Sequence, residues 1–208
     1  MYKNRAASQS SKISKIYVQS EAMDWKCEMK YLGVYFLATN VLKCNLQPVR
    51  QKYFRALNGL FSKIGTRSSP MVTLSLIDSF CVPLLSYGIE SFNIRKSDYG
   101  YLDSAYNAGF AKLLSSCDKS VINCCQFYCG VLPFSLRIGI RRLQFYVNLS
   151  STNSDTLLGL YLLSGKQEYH NLLNKHGLII IGDRPNMAGW RKHIWNSFEY
   201  LIEDHKNA

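Results

Sequence analysis

The sequence predicts a mainly α-helical protein in which a small antiparallel β element precedes a bundle of helices. Two stretches between residues 11 and 37 have the composition and alternation of strands. After Asn40 the apolar residues recur every three or four positions, which is the pattern of amphipathic helices. The 208 residues are 47% hydrophobic and 19% charged, so the chain can bury a core of its own.

The β element has two candidate segments. The stretch "SKISKIYVQ" (11–19), with its branched apolar residues, predicts a strand, and residues 22–37 predict a turn and a hairpin arm rich in aromatic and β-branched residues. Gly33 lies in the middle of "CEMKYLGVYF" (27–36). A glycine inside a strand either marks a bulge or lets another backbone approach closely, and both explanations are open at this point.

The first predicted helix begins at Leu46, has a proline in its first turn, and ends at Gly65. Helical spacing puts six residues on its apolar face: Val49, Tyr53, Ala56, Leu57, Leu60 and Ile64. Lys52, Arg55 and Lys63 fall together in a second arc beside that face.

Further helices are predicted from about Pro70, over 98–115, up to Gly130, over 134–149, and in about three segments of the tail. The second helix is expected to be kinked by its internal proline and to point these residues inward: Leu74, Ile77, Phe80, Cys81, Leu84 and Leu85. Because polar residues interrupt it, we expect a buried helix and no membrane span. Trp190 and Trp195 on the last helix can either cap the core or stack on a base. We expect core packing, because one face carries Trp190, Ile194, Phe198 and Leu201. Residues 177–181 are the one candidate strand after residue 40, and 150–155 the best linker candidate.

The distribution of charge is the first functional observation. The net charge is +11, of which residues 1–77 contribute +9. No Asp or Glu occurs from Met29 to Ile77, and a second acid-free stretch, Lys119 to Ser154, carries Lys119, Arg137, Arg141 and Arg142. A solvated surface usually mixes the two signs of charge, so this pattern favours a surface that faces a polyanion, most often nucleic acid.

The seven cysteines and four histidines do not form a recognisable metal or catalytic motif. Zinc sites usually have two close Cys or His pairs, and Cys125 with Cys129 supplies only half of one. We therefore expect reduced thiols in an intracellular protein, nuclear or cytoplasmic, and no metal site in this chain. No apolar segment typical of a signal peptide follows the basic residues near Met1.

Several motifs in order resemble the reverse transcriptases of non-LTR (LINE-type) retrotransposons. These are "KYLGV" after a short strand pair, then two amphipathic helices of which the second ends in "VPLLSYGIESF", then "GVLPFSLRIGIRRLQFYVNL". In that family an aromatic-Leu-Gly strand forms the primer grip at the end of the palm. A helical thumb follows, with an apolar-Pro-apolar-Leu-x-Tyr-Gly-x-Glu stretch like that from Val82 to Glu90. The resemblance covers about residues 11–150.

The resemblance implies an organisation for the chain. Residues 1–40 would be the end of a polymerase palm, 41–118 a thumb-like helical bundle, and 119–154 a further basic helical region, with no role implied for 155–208. Tyr31, Leu32 and Gly33 would form the primer grip. We expect Lys52, Arg55, Lys63 and Arg67 to contact the phosphates of an RNA/DNA hybrid or duplex without reading its sequence.

The chain also departs from the family. The family's catalytic centre holds two Mg²⁺ ions on palm aspartates that include a Tyr-x-Asp-Asp pair, and no two aspartates are adjacent anywhere in this sequence. The fingers, most of the palm and the endonuclease have no counterpart. We therefore expect a truncated fragment of an RNA-directed DNA polymerase that retains the primer-template-holding elements, has no catalytic residues of its own and does not polymerise DNA alone.

Two other functions stay open from the sequence. One is a stand-alone basic helical module that binds nucleic acid for an unrelated purpose. The other is a scaffold protein that binds no nucleic acid and whose charge only aids solubility.

Overall fold

The structure is a computed structural model that describes residues 16–18, 21–23, 26–39, 43–65, 68–91, 95–178 and 186–207. It confirms a mainly helical protein with a small antiparallel β element at its start. The chain divides into two compact units, Met1–Val49 and Arg50–Ala208. Most of the strand predicted at 177–181 lies outside the described residues, and Gly177 itself lies in a turn.

The described residues of the first unit include five short strands in two antiparallel sheets. Strands β1 (Ile16–Val18) and β2 (Glu21–Met23) pair with each other. Strands β3 (Glu28–Tyr31), β4 (Val34–Leu37) and β5 (Lys43–Cys44) form a second sheet in the order β3-β4-β5. Residues 28–37, where one arm was predicted, are thus a complete hairpin of two arms.

The second unit is helical, and the first helix begins just before it. The helices are α1 (Gln47–Ile64), α2 (Pro70–Leu76), α3 (Val82–Ser86), α4 (Lys96–Leu114), α5 (Lys119–Tyr128), α6 (Phe134–Ser150), α7 (Asp155–Leu160), α8 (Lys166–Lys175) and α9 (Met187–Asn207). A π-helical turn, Ile77–Cys81, joins α2 to α3, and a second one, Tyr161–Gly165, joins α7 to α8. A short 3₁₀ turn, Ile89–Ser91, follows α3.

Helix α1 agrees closely with its prediction. The Asn45 side chain accepts a hydrogen bond from the Gln47 backbone N–H (3.0 Å), which satisfies one of the free donors at the helix start. Tyr53 and Leu57 are completely buried, and the helix ends next to Gly65, which has a positive φ. The apolar spacing therefore identified both the helix and its buried face.

The π-helical turn overturns part of the prediction for the second helix. Leu74, Ile77, Cys81 and Leu85 are buried as expected, but Phe80 is 65% exposed and Leu84 is 38% exposed. A π-helical turn holds more residues than an α-helical one, so the apolar face shifts where it occurs. The turn ends just before Pro83, which has no N–H to continue the α-helical hydrogen bonding.

The tail packs onto α6 through an apolar cluster. The cluster contains Leu143, Tyr146, Tyr169, Leu172, Leu173, Leu178, Trp190 and Ile194. On α9 the buried face continues through Phe198 to Ile202, whereas Leu201, which we predicted to be buried, is 55% exposed. Ile202 lies four residues after Phe198, so the helical period places it on the same face.

Segment 70–91 is long and apolar enough, by length and composition alone, to cross a membrane. In the structure 44% of its most apolar stretch of 18 residues is buried, and Ile77 and Leu85 lie in the core. The core helix of a globular protein passes the same length and composition test. Our expectation of no membrane span therefore stays a prediction.

Gly139 in α6 gives the first testable prediction. A Cβ atom at this position would lie 2.7 Å from the His176 Nε2 atom, which is buried. We expect Gly139→Ala to lower the free energy of unfolding by about 1–3 kcal/mol in urea titrations. Gly59→Ala is the matched control: a Cβ there meets no atom within 4 Å, so alanine should raise stability by up to about 1 kcal/mol. An unchanged free energy of unfolding in Gly139→Ala would contradict the close packing of Gly139 against His176.

His176 gives a prediction about pH. Burial lowers the pKa of its imidazole below the usual 6.5, and the nearby Lys175 and His193 lower it further. Between pH 6.5 and the lower pKa of His176 in the folded protein, this residue therefore binds more protons in the unfolded chain than in the folded chain. Stability should decrease in that window, with a slope of at most about 1.4 kcal/mol per pH unit from this group. His176→Leu should flatten the profile between pH 7.5 and 5.5, and parallel profiles of the two proteins would contradict the assignment.

Candidate nucleic-acid interface

Three of the four predicted phosphate-binding residues lie on one exposed face of α1. At 3.6 residues per turn, Lys52 and Lys63 point in directions about 20° apart, and Arg55 points about 60° from Lys52. All three side chains are exposed. We call Lys52, Arg55 and Lys63 the α1 basic arc. The fourth predicted residue, Arg67, lies outside the described residues.

No described residue forms an ion pair or hydrogen bond with a side chain of the α1 basic arc. Other cations of the same region have structural contacts. The Arg50 guanidinium lies over the Tyr101 ring at 4.4 Å from its centroid. The Lys112 ammonium donates to Asn58 Oδ1 (3.0 Å) and lies over Phe61. Arg50 and Lys112 therefore contribute to contacts between helices, whereas the cations of the α1 basic arc are available to a ligand.

Gly59 lies in the middle of the α1 basic arc. Its direction on the helix is within about 40° of Lys52 and Lys63. It is exposed, and a Cβ atom there would meet nothing within 4 Å. A glycine inside a helix costs about 1 kcal/mol relative to alanine. Contacts within the described chain give no reason for this cost.

The predicted primer-grip residues form the tip of the β3–β4 hairpin. Tyr31 pairs with Val34, so Leu32 and Gly33 are the two central residues of the turn. Both have positive φ, 44° and 83°, as the type I′ turn of two-residue hairpins requires. Our placement of Gly33 inside a strand was therefore wrong: it lies in the turn, where a residue without Cβ adopts this backbone conformation at little cost.

The side chains at this turn are exposed. Tyr31 is 60% and Leu32 is 72% exposed, and Leu32 occupies a backbone region that side chains with a Cβ rarely adopt. The turn belongs to the first unit and the α1 basic arc to the second.

The structure also contains a basic cleft that the sequence did not predict. It has a volume of about 620 Å³ and is lined by residues of α6, α9 and the link after α5. Four of its lining residues are cations, namely Arg137 and Arg141 on α6 and Arg191 and Lys192 on α9. Trp195 forms part of the wall. We call it the α6–α9 cleft. The acid-free stretch 119–154 indicated its α6 side. On α9 our prediction for Trp195 was core packing in preference to base stacking, and no pattern in the sequence indicated Arg191 and Lys192.

The two α6 cations of the cleft already have partners. Arg137 pairs with Asp78 and donates to the Tyr106 hydroxyl (3.2 Å). Burial lowers the pKa of the Arg137 guanidinium, but these hydrogen bonds outweigh it and leave the pKa above its usual value. Arg141 donates to Ser86 Oγ (2.8 Å) and to Glu90 Oε1 (3.2 Å).

Arg142, the third cation of that acid-free stretch of α6, is a structural residue. It is 3% exposed, donates to the Tyr99 hydroxyl (3.1 Å) and lies 3.6 Å from Glu168 Oε2. Its guanidinium is buried against α4 and α8, and Nε and Nη2 have no hydrogen-bond partner among the described residues, so Arg142 contacts neighbouring helices and is not exposed to a ligand.

The cysteines differ in their exposure: Cys81 is buried, Cys27 and Cys117 are exposed, and the other four are partly buried. Cys125 Sγ lies 3.9 Å from Cys129 Sγ, and burial together with this contact raises the pKa of Cys125 to about 11. Within the described part of the chain, no group of three or more Cys, His, Asp or Glu side chains is arranged to hold a metal ion.

No known family model, curated protein or solved structure matches this chain significantly. The resemblance to reverse transcriptases therefore rests on the motifs quoted above.

The turn residue Leu32 provides a prediction about local stability. Asparagine adopts positive φ more readily than leucine, and Asn-Gly is the preferred pair of a type I′ turn. Leu32→Asn should therefore stabilise the β3–β4 hairpin by up to about 1 kcal/mol. Slower hydrogen exchange of the β3 and β4 amides would confirm this. Faster exchange would mean that Leu32 stabilises the turn through its side chain.

Proposed function

We propose that this chain holds an RNA/DNA hybrid or duplex nucleic acid by its phosphates, as the primer-template-holding part of a non-LTR retrotransposon reverse transcriptase. The observation that carries the proposal is the α1 basic arc. Its three exposed cations share a face and have no acid partner among the described residues. A solvated surface gains from nearby acids, whereas a surface that binds a polyanion is weakened by them.

The length of the arc suits a nucleic-acid backbone. Lys52 and Lys63 are eleven residues apart, which corresponds to about 16 Å along a helix axis. Duplex DNA carries a phosphate about every 3.4 Å along each strand, so the arc spans several phosphates. Contacts of this kind supply affinity without sequence preference.

Gly59 supports a close approach of the ligand. With no side chain between Arg55 and Lys63, a sugar-phosphate backbone can reach the surface of α1 at the centre of the arc. This would account for a helix glycine that packing in the described chain does not require.

The β3–β4 turn supports the primer-grip part of the proposal. Its tip combines a two-residue turn with exposed Tyr31 and Leu32 side chains. A backbone of this shape can lie against the end of a nucleic-acid strand, with Tyr31 available for stacking. Under this proposal the strain at Leu32 is retained for function.

The nucleotide-transfer chemistry of the family needs residues that this chain does not contain. The two Mg²⁺ ions of the family require adjacent palm aspartates, and the sequence contains no such pair. The residues present therefore do not fit the metal centre. The proposed role is to hold and position a duplex, while the residues that transfer nucleotides belong to the palm of the family enzyme.

A scaffold function without nucleic acid has one observation in its favour. The segment 70–91 exposes several large apolar side chains, namely Met71, Val72, Phe80 and Tyr87. Exposed apolar surface of this kind is typical of protein contacts. A chain that binds no hybrid or duplex even at low salt would support this second function.

Neutralising the α1 basic arc should weaken duplex binding. We expect Lys52→Gln/Arg55→Gln/Lys63→Gln to lower the affinity for a 20-base-pair RNA/DNA hybrid at least about tenfold at 100 mM salt, since it removes three phosphate contacts. The loss should be the same for hybrids of unrelated sequence. Fluorescence anisotropy measures both effects.

The matched control is Lys26→Gln/Lys96→Gln/Lys166→Gln. It removes the same charge from three exposed positions outside α1. Its hybrid affinity should stay within about threefold of the unchanged protein. Equal losses in the two variants would mean that only net charge matters and that α1 is not the binding face.

A further inference from the structure

The α6–α9 cleft contains more positive charge than its own residues neutralise. Asp78, the one acid in its wall, pairs with Arg137, and Arg141 is bound by Ser86 and Glu90. Arg191 and Lys192 are exposed, and within the described chain neither has an ion pair or hydrogen bond. A ligand of this cleft is therefore expected to be an anion.

An aromatic surface lies next to these two cations. Trp195 follows Arg191 by four residues and Lys192 by three, so the three side chains share one side of α9. One side of the indole stacks on Phe127, with centroids 5.6 Å apart and planes at 15°. Trp195 is only half-buried and lines the cleft together with Leu132 and Ile140. A flat apolar group can therefore bind beside an anionic group.

A nucleotide of a single strand combines these two features. Its phosphate is the anion and its base is the flat group, and single-strand-binding proteins use basic grooves with aromatic platforms in this way. In a duplex the bases are stacked and paired and cannot reach Trp195. The volume of about 620 Å³ lies within the usual range of small-ligand pockets, roughly 300–1,000 Å³.

We propose that the α6–α9 cleft binds single-stranded nucleic acid, with backbone phosphates at Arg191 and Lys192 and an unpaired base against Trp195. This goes beyond the proposed function, because α1 would hold paired strands by phosphates alone. The same chain would then bind a duplex at α1 and an unpaired strand in the α6–α9 cleft.

The first experiment measures binding of a fluorescein-labelled oligothymidine of twelve nucleotides to the full chain at 100 mM salt. Arg191→Gln/Lys192→Gln should lower the affinity at least about fivefold and leave the affinity for the RNA/DNA hybrid within about twofold. The control Lys96→Gln/Lys166→Gln removes the same charge at other exposed positions and should retain both affinities. Unchanged oligothymidine affinity in Arg191→Gln/Lys192→Gln, or an equal loss in the control, overturns the proposal.

The second experiment tests the stacking of a base. Saturating oligothymidine should quench the tryptophan emission of the unchanged protein, and Trp195→Phe should remove most of this quenching while keeping an aromatic ring against Phe127. Trp190 is 5% exposed and should not respond, and any response of the third tryptophan, Trp25, is common to both proteins. Equal quenching in the unchanged protein and in Trp195→Phe overturns the placement of the base.

Two further outcomes separate this inference from the proposed function. If the chain binds oligothymidine through Arg191 and Lys192 but binds no hybrid, the cleft is supported and the duplex-holding function fails. If thymidine monophosphate binds as tightly as the oligonucleotide, the cleft takes a mononucleotide and the single-strand proposal is overturned.

Discussion

Helix α6 is the element on which the packing of the second unit depends, and its three arginines tie it to the surrounding helices. Arg142 is buried and reaches Tyr99 on α4 and Glu168 on α8. Arg137 and Arg141 instead contact the segment 70–91, through Asp78, Ser86 and Glu90. The apolar cluster around Leu143 then brings α8 and α9 against the same helix. Removing one partner of such a pair leaves a charge without compensation, so these contacts restrict how the helices can pack.

The cations of the chain fall into two classes, according to whether they have contacts within the described residues. Cations that pair with acids or lie over aromatic rings maintain the fold, as Arg142 and Arg50 do. Cations without such contacts among the described residues include the α1 basic arc, Arg191 with Lys192, and separate exposed lysines such as Lys96 and Lys166. Net charge alone suggested a polyanionic ligand, and the structure identifies which charges are available to contact one.

The sequence predicted the features that depend on local periodicity. Helix α1 and its buried Tyr53 and Leu57 follow from the 3.6-residue period. The failures have local causes that a regular period cannot represent. The π-helical turn before Pro83 shifted Phe80 and Leu84 to the surface, and the turn at Leu32 and Gly33 divided an apparent strand into a hairpin.

The candidate sites likewise divide into one that local spacing predicts and one that depends on tertiary packing. The three residues of the α1 basic arc lie on one helix, so their common face could be predicted from spacing. The α6–α9 cleft joins residues about fifty positions apart in the sequence, and only the packing of α9 on the bundle brings them together. Whether a cation is buried is likewise a tertiary property: Arg141 and Arg142 are adjacent in sequence, yet one is exposed and the other is buried.

If the α1 basic arc contacts the phosphates of a duplex, as we propose, binding should depend on salt through these three residues. The association constant for an RNA/DNA hybrid should be measured from 50 to 300 mM salt for the unchanged chain and for Lys52→Gln/Arg55→Gln/Lys63→Gln. We expect a steep linear decrease of log K with log salt, and a slope smaller in magnitude by about 2–3 in the variant. Identical slopes for the two proteins would show that the arc does not contact phosphates.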